Sequence, residues 1–98
     1  MARFDVFETA GGALVLDCQT DILSHLKTRF AVPLFRADGE VIAAKRLNPI
    51  FAINGKDYIM YSQFASAIPS KDMKKFMCSL TDEADTIIYA FDMLISGY

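Results

Sequence analysis

Few residues of this chain have the types and spacing that chemistry demands. A single histidine, His25, stands beside Ser24 and four positions after Asp21. Nucleophile, base and orienting carboxylate are all present in type, but a Ser-His-Asp triad converges from separate elements. Near-neighbours in one turn cannot orient that way, so His25 reads as a surface or capping histidine. Asp82 and Glu83 read as charges at a helix start. Gly11-Gly12 lacks the strand–glycine loop–helix context of a phosphate site and reads as a turn. Cys18 and Cys78 show no C-x-x-C or other metal-ligand spacing, and are expected to be reduced, buried thiols of a cytosolic protein. Nothing calls for a metal or an organic cofactor. The residues describe a binding module more readily than an enzyme.

Composition points the same way. Ninety-eight residues make one domain, 1–98, and 53% of them are apolar, against roughly 45–50% in ordinary soluble domains. A domain this small leaves about 35–40% of its unfolded surface exposed when it folds alone. The excess implies that a second chain covers some of it. Uncharged apolar stretches such as Thr86 to Phe91 are far short of the ~20 residues of a membrane helix, and residues 1–20 lack the pattern of a signal peptide. A net charge of −2 with scattered basic residues argues against a broad nucleic-acid-binding face.

The elements that would position a binding surface follow from periodicity. Arg3 to Glu8 alternates polar and apolar, the mark of a strand with one buried face. Thr9-Ala10-Gly11-Gly12 supplies a hairpin turn, and Ala13 to Cys18 is a continuous apolar run capped by Asp17, hence a more central strand. Asp21 to Leu26 reads as a short turn or helical loop. Thr28 to Phe35 is a third strand, in which Pro33 must face an edge or a bulge. Ala37 to Glu40 reads as a turn, and Val41 to Leu47 fits an irregular strand or a short helix. Ile50–Ile53 and Tyr58–Tyr61 flank Asn54-Gly55, the clearest hairpin signal in the chain, with Lys56-Asp57 able to lengthen the loop.

The period then changes. Ala84, Ile87, Ile88, Phe91, Leu94, Ile95 and Tyr98 follow the spacing of a buried helix face. Thr81 is the expected N-cap, Asp82, Glu83 and Asp85 suit the first turn, and Gly97 ends the helix. The expected fold is mainly β: about five antiparallel strands, then one C-terminal α-helix. Met93, Leu94, Ile95 and Tyr98 crowd the helix end with only Asp92 and Ser96 as polar neighbours. Such an end needs cover from its own sheet and from a symmetric copy or a partner.

The ordered set of motifs resembles the CcdB family of bacterial toxins. Leu16-Asp17-Cys18-Gln19-Thr20-Asp21-Ile22-Leu23 is similar to the family's V-D-V-Q-S-D-I-I segment. Arg29 to Leu34 is similar to R-M-V-I-P-L, and Pro49 to Ile53 to P-x-[VI]-x-I. Ala65-Ser66 opens a segment like M-A-S-V-P, and Asp92 to Tyr98 resembles N-L-M-F-W-G-I. The likeness spans essentially the whole chain.

The resemblance implies an SH3-like barrel with a C-terminal helix, assembled as a homodimer. It implies a toxin that binds the A subunit of DNA gyrase and traps the cleaved-DNA complex without catalysis of its own. A CcdA-like antitoxin would neutralise it, and the pair would repress their operon, so DNA is met only through antitoxin or gyrase. By position, the gyrase contacts would be Ile22, Leu23, Asp92, Ile95, Ser96, Gly97 and Tyr98. Asp17 and Thr20 would support the loop, and Met93, Leu94 and Ile95 would form the dimer interface. Ser96 stands where the family's best-known member has a Trp that grips the target, Tyr98 replaces an Ile, and Asp92 an Asn. Those departures keep a non-toxic relative open as an alternative. A MazF- or Kid-like ribonuclease is another, with Arg29, Arg46, Asp57 and His25 as its candidate groups.

Overall fold

The computed structural model describes residues 2–38 and 45–97. Most of the 37–47 segment and Tyr98, read above as a turn, an ambiguous element and the end of the site, lie outside the described residues. Seven strands are described: β1 (Asp5–Thr9), β2 (Leu14–Asp17), β3 (Thr28–Arg36), β4 (Ile50–Ile53), β5 (Lys56–Met60), β6 (Ser66–Pro69) and β7 (Met73–Ser79). One helix, α1 (Ala84–Ser96), follows them.

Two hairpins form where the local sequence demands them. The β1–β2 turn closes through Thr9 N–H to Ala13 O (2.8 Å) and Gly12 N–H to Thr9 O (2.9 Å). Asn54-Gly55 alone joins β4 to β5, because Ile53 lies opposite Lys56. Both turn residues have positive φ, +52° and +78°, the two-residue turn whose twist matches that of its strands. Lys56 and Asp57 therefore open β5 rather than lengthen the loop. A Cβ added at Gly55 would meet nothing within 4 Å, so Gly55→Ala tests backbone conformation alone. It is expected to cost about 1–2 kcal/mol, read as a lowered urea midpoint; an unchanged midpoint would mean that the turn relaxes freely.

All pairing is antiparallel, in the order β4-β5-β3-β2-β1-β7, with β6 also on β3. The long β3 divides its outer edge between two partners. Its C-terminal half (Leu34–Arg36) pairs with β5, and its N-terminal half (Thr28–Ala31) with β6. Pro33 sits in an interior strand at the changeover, neither at a sheet edge nor in a bulge. Cys18 N–H bonds to Phe30 O, and this phase turns the missing Pro33 donor away from β2, towards the gap. Only a carbonyl is needed there, and Pro33 O accepts the Tyr61 N–H (3.1 Å).

The sheet curls into an antiparallel half-barrel. Only Ser70–Asp72 separate β6 from β7, so the chain can span about 14 Å there. On a flat sheet those strands would lie four spacings, about 19 Å, apart. Curling produces two apolar layers. Val6, Leu16, Val32 and Leu34 face a main core closed by Phe51 and Ile53 of β4 and by Ile87 and Ala90 of α1. Phe7, Val15, Ala31 and Met73 fill a smaller core on the other face, with Ile68 packed against it. With cover on both faces every residue of β2 is buried, which accounts for the apolar run Leu14–Leu16.

β6 and β7 are additional to the strands that periodicity reveals. Across from β1, Val6 lies opposite Cys78 but Phe7 opposite Phe76; Glu8 lies opposite Lys75 but Thr9 opposite Met73. Met77 and Lys74 are thus extra residues in β7. Each bulge shifts the alternation by one, so a seven-residue strand carries no legible period of two.

The helix differs in its cap and its faces. Thr81–Glu83 forms a 3-10 turn leading into α1, so the N-cap position of α1 falls to Glu83 rather than Thr81, without a side-chain cap bond. Ser79 supplies the hydroxyl acceptor for the Thr81 N–H (3.3 Å) instead. Gly97 ends the helix at φ +78°, its N–H bonded to Met93 O (3.0 Å). The buried stripe is narrower than the apolar pattern: Ile87 and Ala90 are buried, Ala84 and Phe91 half-buried, while Ile88, Leu94 and Ile95 are exposed. Thirteen residues overrun a small core, and the last turns project past it.

Candidate functional site

The loop after β2 is built from a buried charge outward. Asp17 and Arg29 are both buried, with Arg29 Nε 2.9 Å and Nη2 2.6 Å from Asp17 Oδ2. The other carboxylate oxygen, Oδ1, accepts the Gln19 N–H (3.1 Å). Gln19 then bridges strand and loop: its Oε1 accepts the Phe30 N–H (3.0 Å) and its Nε2 donates to Leu23 O (2.7 Å). Thr20 contributes its carbonyl, which accepts the Leu23 N–H (3.1 Å), and its side chain makes no cap bond.

Asp21–Leu23 is one 3-10 turn, and none of its residues is buried. Ile22 is 84% exposed and Leu23 is also exposed. The Asp21 carboxylate is engaged by the Arg3 N–H (2.8 Å), while His25 is exposed in the turn that follows. Phe4 holds that N-terminal segment with a φ of +72°, a left-handed conformation rare for a bulky residue. Its O accepts the Leu80 N–H (2.7 Å), and its ring is buried in the main core.

At the other end of the site Asp92, Met93, Leu94, Ile95, Ser96 and Gly97 are all exposed, Ile95 by 82%. Successive helix residues turn by about 100°, so Met93 and Ile95 point to nearly opposite flanks. Leu94 lies in line with Ile87 along the helix but is exposed. Further exposed apolar side chains stand elsewhere: Phe35 and Phe64 on either side of Tyr61, with ring centroids 5.1 and 5.7 Å from it, and Tyr89 beneath the Arg46 guanidinium at 5.5 Å.

The groups that a nuclease would use are not gathered. Arg29 is committed to Asp17 inside the sheet. Asp57 and His25 belong to opposite ends of β3, about 30 Å of strand apart, since Ala37 N–H bonds to Asp57 O while His25 precedes Thr28. Among the described residues no three His, Cys, Asp or Glu side chains form a metal-binding group, and no helix is long and apolar enough to cross a membrane.

Both cysteines are free and half-buried rather than fully buried. Burial pushes the Cys18 thiol far above its ordinary range, and the neighbouring Asp17 carboxylate adds to the effect. Burial, with Asp5, raises Cys78 as well, by less. A raised thiol stays protonated where a free one ionises, so at pH 8 alkylation of Cys18 is expected to trail that of Cys78, as peptide mass mapping would show. Equal rates would contradict this. The sign for stability follows: the folded chain keeps protons that the unfolded chain releases above the ordinary thiol value of 9.0. This contribution is whole below that pH and lost as pH rises beyond it.

The loop after β2 and the end of α1 both present exposed apolar side chains, Ile22 and Leu23 on the one and Leu94 and Ile95 on the other. The family model described as CcdB protein matches residues 3–97. The chain belongs to the CcdB family. CcdB proteins are toxins of toxin–antitoxin systems, directed at gyrase rather than acting as enzymes. Partnership with an antitoxin and with gyrase is general to the family. No curated protein matches the chain.

Sequence reasoning passed over Gln19 and the pairing of Arg29 with Asp17. A signal existed: an aspartate inside a continuous apolar run needs a partner. Naming that partner needed the strand register, which sets Asp17 opposite Ala31 and so diagonal to Arg29.

Proposed function

We propose that this CcdB-family chain acts in the cytoplasm as a homodimeric toxin that binds the A subunit of DNA gyrase and stabilises the cleaved-DNA complex. A CcdA-like antitoxin neutralises it, and the two together repress their operon. The observation that carries this reading is the exposure of Ile22 and Ile95, at 84% and 82%, on a loop and a helix end without catalytic groups. Isolated, such side chains are a solubility liability; in a recognition surface they are the anchors.

In this reading Ile22, Leu23, Asp92, Ile95, Ser96, Gly97 and Tyr98 meet gyrase, and Met93, Leu94 and Ile95 serve the two-fold interface. A two-fold axis near the helix ends doubles the apolar area offered to a two-fold target. Gly97 lets backbone approach the partner closely. Ser96 offers little area, so more of the contact falls to Ile22, Leu23 and Ile95.

The test is capture of the gyrase A-subunit core by the purified full chain, with a plasmid-cleavage assay run in parallel. Binding with accumulation of cleaved plasmid is expected, and deletion of Ser96-Gly97-Tyr98 should abolish both while leaving a folded protein. Cleavage of RNA by the pure protein, or plasmid cleavage that survives the deletion, would overturn the assignment.

A further inference from the structure

The apolar pair Ile22-Leu23 stands on a turn that cannot hold itself. A single 3-10 turn has poor hydrogen-bond geometry, and none of Asp21–Leu23 is buried, so packing alone does not fix it. Its position must be imposed from outside. The Arg3 N–H holds the start of the turn at Asp21 (2.8 Å), and its end, which carries Leu23, is held by a continuous chain of hydrogen bonds from Arg29 to Asp17 to Gln19 to Leu23 O.

We propose that Gln19 is a positioning residue, whose side-chain amide sets the pose in which Ile22 and Leu23 are offered to the partner. The role of the pair as a partner contact rests on the gyrase reading above. The amide can perform this task in one orientation only. Oε1 faces a donor, the Phe30 N–H, and Nε2 faces an acceptor, Leu23 O; reversing it would set donor against donor and acceptor against acceptor. With both ends engaged, the distance between β3 and the loop is fixed by the width of one planar group.

The groups behind Gln19 have the character of a positioning device. Among the described residues Arg29 Nη1 has no hydrogen-bond partner, and Nη2 has only its ion-pair contact with Asp17. A buried pair left so incompletely satisfied is a poor source of stability compared with apolar residues of like volume. What it does supply is a carboxylate of fixed orientation, with Oδ2 held by Arg29 and Oδ1 free to take the Gln19 N–H. The turn is thereby pre-organised, which reduces the ordering cost of binding.

The experiment compares the full-length chain with Gln19→Met, which removes both arms, and Gln19→Glu, which keeps the acceptor for Phe30 and removes the donor to Leu23. Amide hydrogen exchange is measured at Leu23, Ser24 and Leu26, whose N–H groups bond within the loop, and at β2 and β3. Affinity for the gyrase A-subunit core is measured alongside. Both variants are expected to speed exchange at the three loop amides by roughly fivefold to tenfold with the strands unchanged, and to weaken gyrase binding by a similar factor. Unchanged loop exchange, faster exchange through β2 and β3 as well, failure of both variants to fold, or a freed loop that binds gyrase as tightly as before would each overturn the proposal. If the parent chain does not bind the gyrase core at all, the gyrase reading fails, while the exchange data still decide whether Gln19 clamps the loop.

Discussion

Asp17→Ala is expected to lower folding stability by about 3–5 kcal/mol, a large part of the ~5–15 kcal/mol a domain commonly possesses. The carboxylate is the counter-charge of a guanidinium buried inside the sheet. Removing it leaves that cation with no partner in a region of low polarity. Gln19 N–H loses its acceptor as well. For a domain of this size the midpoint of thermal unfolding should fall by roughly 12–40 °C. The informative control removes both charges: Asp17→Leu with Arg29→Met should recover most of the loss, because an apolar pair incurs no desolvation penalty. Urea unfolding of the three proteins reads the outcome directly. A loss below about 1 kcal/mol for Asp17→Ala would show that water reaches Arg29.

The second large effect concerns recognition. Ile22→Ser combined with Ile95→Ser should leave the stability of the protomer fold within about 0.5 kcal/mol of the parent, since both side chains are exposed on the single chain. On the proposed reading both become buried against gyrase. Each lost isoleucine removes about 1.5–3 kcal/mol of apolar burial, so the pair should weaken binding by at least about a hundredfold. Calorimetric titration of the gyrase A-subunit core measures this, and growth arrest on induction reports it in cells. A double variant that arrests growth as strongly as the parent would remove these residues from the site. The contrast between the two experiments is itself diagnostic. Asp17 should act through folding with no direct contact to a partner, and the isoleucines through contact with no part in folding.

The high apolar content that first implied a covering partner is now located. The main core takes Ile87 and Ala90 from α1, but Ile88, Leu94 and Ile95, together with Ile22 and Leu23 from the loop, remain outside it. Phe35 and Phe64, flanking Tyr61, and Tyr89 beneath Arg46 account for further exposed area. The surplus is therefore distributed over several faces, with its most exposed members at the loop and the helix end.

The sequence by itself determined whatever depends on neighbours along the chain. Asn54-Gly55 specified a tight hairpin because few residues tolerate positive φ, and Gly97 specified a helix end for the same reason. The apolar run ending at Asp17 announced a more central strand. The helix, the mainly β architecture and the order of family motifs were legible in the same way.

Tertiary structure alone decided what depends on residues distant in sequence. The β7 strand was hidden because two bulges against β1 erase its alternation. Pro33 could lie in an interior strand because β5 ends and β6 begins beside it. The apolar face of α1 looked wide, yet only Ile87 and Ala90 are buried, because the core is shorter than the helix. Above all, the support of the candidate site is a matter of register. Setting Asp17 opposite Ala31 brings Arg29 to its carboxylate and Gln19 between β3 and the loop, and no local pattern encodes that meeting. A buried charge chooses its partner through the fold, because only the fold removes the water that would otherwise serve as one.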